Sequence, residues 1–178
     1  MHRDILIFWF DETDPKLWWS ADPDFDALIR RRFLPIMQRA ARAELHGWRT
    51  TAPGRLAEII LLDQFPRNVY RNTPQAFAQD PQALVLAQEA VAAGALAQLG
   101  LEQRGFLLLP YMHSESRQIQ AESVALHQAF ASASSCDFAL RHQAIIDRFG
   151  RYPHRNAILG RTSTAEELAF LEQPGSRF

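Results

Sequence analysis

The sequence predicts an all-α protein: a single domain over residues 1–178, built as an array of short antiparallel helices joined by brief loops. Three observations predict it. A capping side chain stands directly before proline at Asp14-Pro15, Asp22-Pro23, Thr73-Pro74 and Asp80-Pro81, the pairing expected at a helix N-cap and first turn. Apolar residues recur at helical rather than alternating spacing. Glycines fall where those periodic runs stop, at Gly47, Gly94, Gly150 and Gly160. No strict repeat and no dividing linker is found.

Taken in order, the chain opens with a short helix over residues 4–10 and a turn over 15–19. A long helix follows over 23–45, in which Phe25, Ile29, Ile36, Ala40 and Ala43 share a face and Pro35 introduces a kink. The next helix covers 54–65 and is expected to end at Pro66. Two more are expected over 74–78 and 81–93. The run FLLLPYMH at 106–113 has no alternating partner segment and reads as a helix beginning near Leu107. Helices over 116–131, 138–149, 153–159 and 165–171 complete the array, the last opened by a capping box of Thr164 and Glu167.

Composition narrows the function classes. With 47% hydrophobic and 22% charged residues the chain is an ordinary globular one. A formal net charge of −1 argues against nucleic acid as a partner. Cys136 stands alone, so no intrachain disulfide or cysteine metal cluster forms, which fits a reducing compartment. The apolar run at 5–10 is too short for a signal segment, and no stretch approaches membrane-spanning length. The expectation is a cytoplasmic protein with no membrane partner and no cofactor. Lys16 is the only lysine among 19 basic residues, a bias that GC-rich codon usage explains without function.

The residues that carry chemistry concentrate at 142–161, HQAIIDRFGRYPHRNAILGR. Two histidines, four arginines, an asparagine and an aspartate stand there among large apolar side chains. Buried charge is costly unless paired, so the stretch is a polar network or a site. Helical projection places Asp63 on one stripe with Leu56, Ile59 and Ile60, and His142 on another with Phe138, Ile145 and Phe149. If Ser114 caps the following helix, Glu115 opens a third stripe with Ile119, Ser123, Leu126 and Phe130. Asp63, Glu115 and His142 then point inward, with Arg67, Arg71, Arg148, Arg151 and Arg155 as partners. His2, His46 and His127 carry no pattern and are expected to be exposed. The aromatics Phe8, Trp9, Phe10, Trp18, Trp19 and Trp48 read as core, or as the seal of a terminal helix.

Three readings stay open. The polar residues lock helix ends as a structural network. Alternatively, Arg151, His154, Arg155 and Arg161 surround a helix start at Pro153 and hold a small anion or an acidic chain terminus. In the third, His113, Glu115, His142 and His154 hold a metal with Asp63 as base, although an H-x-E pair lacks the i, i+4 spacing of a helical ligand pair.

The blocks LLDQFPRNVYRNTPQAFAQD, FLLLPYMHSES and HQAIIDRFGRYPHRNAILGRTSTAEELAFL resemble the signature blocks of a mostly bacterial family, the domain of unknown function 924 family. FWF at Phe8, the aspartates around Phe25 and Gly47-Trp48 resemble its N-terminal blocks. The resemblance implies an all-α fold similar to tetratricopeptide-repeat proteins and no established activity. It marks Asp63, Arg67, Asn68, His113, Glu115, His142, Arg151, His154, Arg155, Asn156 and Arg161 as candidate ligand-binding positions, with no metal assigned. The expected function is a helical binding module whose inward cluster takes a small anionic ligand or a peptide or protein partner. The alternative is a small metal-assisted hydrolase.

Overall fold

A computed structural model describes residues 2–176. Among them eight α-helices form and no strand. α1, His2–Leu6, runs into a π-helical turn, Ile7–Glu12, and a 3-10 turn follows at Pro15–Trp19, opened by the Asp14 carboxylate accepting from Lys16 N–H. α2 covers Pro23–Ala41, α3 Ala52–Val69, α4 Asp80–Ala92, α5 Leu101–Met112, α6 Arg117–Phe130, α7 Ala133–Phe149 and α8 Ala165–Leu171. From α2 to α7 each helix packs on the next, and α3 also meets α1 and α5.

Local chemistry explains most starts. Asp22 caps α2 through Phe25 N–H, Thr51 caps α3 through Gly54 N–H, and Ser116 and Ser132 cap α6 and α7. Thr164 and Glu167 form the reciprocal box of α8 at 3.2 and 2.7 Å. Gly94 and Gly150 adopt the left-handed backbone that stops a helix, and Gly160 adopts it within a turn.

Several expectations are corrected. α3 does not end at Pro66 but continues to Val69. Arg67 Nη1 reaches the Asp63 carbonyl at 2.5 Å, and Arg30 Nη2 reaches the Val69 carbonyl at 2.6 Å, so side chains serve carbonyls at the end of this helix. α3 is buried on every side, so its apolar residues form no single stripe. α2 ends at Ala41, where Ala43 rather than a glycine takes the positive φ, 57°. Its buried face is Phe25, Ile29, Phe33, Met37 and Ala40, not one including Ile36 and Ala43. Gly47 lies inside a 3-10 turn, His46–Thr50. α5 begins at Leu101, opened by Gln103 Oε1 accepting from Gly100 N–H, and α7 begins five residues earlier than expected.

Ser116, not Ser114, caps α6, and its buried seam is Gln120, Ser123 and His127. His127 is 1% exposed, contrary to expectation, and its Nδ1 lies 2.8 Å from the Ser123 carbonyl one turn back. Gln120 Nε2 lies 2.8 and 2.7 Å from the carbonyls of Met112 and Ser114, serving the open end of α5. A polar seam is tolerated there because it satisfies a neighbouring helix terminus.

The core runs from Ile5 through Ala139, and a smaller cluster of Ile145, Ile146 and Tyr152 holds the C-terminal segment. Phe8 and Trp9 seal the N-terminal helix, with Phe8 packed on Phe33 at 4.7 Å between ring centroids. Trp19 lies outside that seal, 68% exposed and stacked on Phe106.

Candidate functional site

Continuation of α3 past Pro66 builds the site. It makes Asp63 and Arg67 i, i+4 neighbours, so the guanidinium sits 3.3 Å from the Asp63 carboxylate. The same guanidinium grips Asp80 with two bonds of 3.0 Å. Asp80 is the first residue of α4 and not its N-cap, which is Gln79. Two arginines share its carboxylate, Arg155 Nη1 lying 3.2 Å from Oδ2.

Asp63 is fully buried. Burial alone would raise its pKa, but Arg67 and His113 outweigh that and hold the carboxyl well below the usual range. Its Oδ1 lies 2.7 Å from His113 Nδ1, and its Oδ2 accepts from Gln64 at 2.5 Å. Burial, with Arg67 nearby, lowers the pKa of His113. An ionised carboxylate only accepts, so the neutral ring carries its proton on Nδ1 and keeps the lone pair on Nε2.

Arg155 is 6% exposed, with its guanidinium carbon 4.7 Å from the ring centroids of both Phe77 and Tyr152. The one side-chain hydrogen bond it makes to a described residue is that to Asp80, and its Nε is buried without a partner. Burial and the adjacent Arg67 pull its pKa down, so this cation is undercompensated. A cleft of about 420 Å³ opens here, lined among others by Phe77, Asp80, His113, Glu115 and Arg155.

The remaining candidates frame this centre. His142 donates from Nδ1 to the Phe138 carbonyl at 2.8 Å, and its ring lies 6.4 Å from that of His113 and 5.7 Å from Tyr152. Burial lowers its pKa to about 3, and burial and Arg155 lower that of His154 to about 4. Glu115 stands on the loop before α6, not on it. It accepts from Arg161 at 2.6 and 2.9 Å and from Tyr152 N–H at 2.8 Å. Asn156 orients Arg161 through Oδ1 at 2.9 Å.

Of the candidates, His113, Glu115 and Arg155 line the cleft itself, and Asn68 and Arg151 are tied to carboxylates away from it. Asn68 and Arg71 both bind Asp26, and Arg151 grips Glu167 at 2.6 and 2.8 Å and holds that carboxyl down to about 2. The helix expected over 153–159 is a single 3-10 turn, Pro153–Arg155, too short for a macrodipole, and around it Arg151 and Arg161 are paired with Glu167 and Glu115.

Asp80, Phe77, Gln64 and Tyr152 complete the site and were not among the candidates. Asp80-Pro81 reads as a cap, and nothing in the sequence shows that Arg67 and Arg155 meet there. The four-ligand metal set is not assembled. Among the described residues no three His, Cys, Asp or Glu side chains converge as an ion site, and Asp63 and Glu115 are engaged by Arg67 and Arg161.

Fold and site define an all-helical protein with a buried Asp-Arg-Asp-Arg chain opening on a cleft. The chain belongs to the family described as bacterial protein of unknown function DUF924, whose model matches residues 5–175. It is similar to a solved structure of a protein of unknown function from Agrobacterium tumefaciens, 39% identical, covering 96% of each chain with a TM-score of 0.92. No curated protein matches the chain. No helix among the described residues is long and apolar enough to cross a membrane.

Proposed function

We propose that the protein is a binding module whose cleft takes a small anionic ligand, a carboxylate or phosphate, on Arg155. One observation carries this reading: Nε, on the Nε–Nη2 edge of a nearly buried guanidinium, has no hydrogen-bond partner, while two aromatic rings flank that guanidinium at the cleft. That edge is the one that binds carboxylate or phosphate bidentately. A buried donor without an acceptor costs about 1–3 kcal/mol, so a ligand oxygen there would recover part of it.

A peptide C-terminus offers the same carboxylate as a small acid. The two sources separate by titrating acetate, a free peptide and its C-terminally amidated form. A setting in the reducing cytoplasm and a likeness to tetratricopeptide-repeat proteins belong to the same reading, supported by lone Cys136 and by consecutive helix pairing. The test is thermal melting with increasing phosphate or acetate. Melting temperature should rise with the anion and lose that dependence in Arg155→Met. A melting temperature independent of both anions in the wild type would remove the proposal.

A further inference from the structure

We infer that His113 is a proton-transfer group on this cleft, positioned by Asp63, so that a bound anion also carrying a hydroxyl meets a base at Nε2. The inference rests on the anion-binding reading for its ligand but not for its geometry. Three observations bear it. His113 lines the cleft that Arg155 lines. Its Nδ1 is committed to the fully buried Asp63 carboxylate at 2.7 Å, which fixes both ring orientation and tautomer. Nε2 makes no hydrogen bond to a described residue, and the side chain keeps 14% of its surface exposed.

The groups around the ring are unevenly signed. Asp63 from α3 and Asp80 from α4 favour a proton on it, Arg67 from α3 opposes one, and His142 from α7 stands neutral beside it. Burial keeps the ring unprotonated at rest, as a base requires. In the step itself, the Nε2 lone pair takes the proton of the ligand hydroxyl while the oxygen keeps the bonding electrons. The imidazolium so formed is held against the Asp63 carboxylate and gives the proton back from Nε2 to the ligand oxygen before the ligand leaves. Asp63 touches no ligand and acts by positioning.

Diethyl pyrocarbonate tests this without a known ligand. An unprotonated imidazole nitrogen attacks its carbonyl carbon, releasing ethanol and carbon dioxide. Peptide mapping of the folded wild type should show His113 carbethoxylated. Asp63→Asn should slow that labelling several-fold while exposed His46 keeps its rate. Two-dimensional ¹⁵N–¹H NMR of the wild-type histidine rings should place the His113 proton on Nδ1, and this decides the matter if Asp63→Asn fails to fold. A ring proton on Nε2, or a His113 that resists the reagent in the folded protein, would overturn the inference. Arg155→Met should leave the labelling intact, so failure of anion binding and failure of the base are told apart.

Discussion

The Asp80 carboxylate lies 3.0 Å from both terminal nitrogens of Arg67, and its Oδ2 also lies 3.2 Å from Arg155 Nη1. One acidic residue at the start of α4 thereby ties the end of α3 to the segment that follows α7. Removing it leaves two largely buried guanidiniums facing each other. Asp80→Ala should therefore destabilise the fold by about 2–4 kcal/mol, less than a fully buried pair because Asp80 keeps some solvent contact. Urea unfolding followed by circular dichroism measures this, and an unchanged midpoint would show that the chain is not structural.

Acid should weaken the fold through its histidines. The folded-state pKa values of His142 and His154, about 3 and about 4, lie below the ordinary 6.5 of the unfolded chain. The unfolded state then binds more protons between these limits, so stability is present above about pH 6.5 and lost as pH falls toward 4 and below. Each such histidine contributes a slope of up to about 1.4 kcal/mol per pH unit. Urea midpoints across pH 4–7 should fall with acid, and more gently in His142→Gln. A flat profile would contradict burial of these rings in neutral form.

The end of α2 carries avoidable strain. Ala43 sits at φ 57°, with the Glu44 N–H donating to the Arg39 carbonyl at 3.0 Å in the pattern that usually places glycine at this position. Ala43→Gly should stabilise the protein by about 0.5–1 kcal/mol. A lower melting temperature would show that the alanine methyl matters more than the backbone.

The opposite substitution should fail at Gly54. A Cβ there would meet the Trp48 carbonyl oxygen at 2.0 Å, a backbone atom held in the turn that feeds α3. Gly54→Ala should cost about 1–3 kcal/mol, read from the same unfolding curves. Wild-type stability would mean that the turn yields freely.

These contrasts show what the sequence discloses. Caps at Asp14, Asp22 and Thr164 are legible because a cap is satisfied within three residues. Inward placement of His142 is legible from helical projection, whereas Asp63 is buried because every side of α3 is. The site itself is not legible, because it depends on α3 passing through Pro66. Local rules end the helix there, and only burial on every side sustains it. Ending it would put Arg67 on a loop and dissolve the Asp63–Arg67 spacing. Asp80 and His127 were misread for a related reason: each looks local, a cap and a surface residue, until long-range neighbours claim it.

The most direct test of the account is a crystal structure of the protein with selenate, located by its anomalous signal. The account predicts selenate oxygens within hydrogen-bond distance, about 3 Å, of both Nε and Nη2 of Arg155. Anomalous density absent from the cleft, with that guanidinium edge bonded to another protein group, would contradict it.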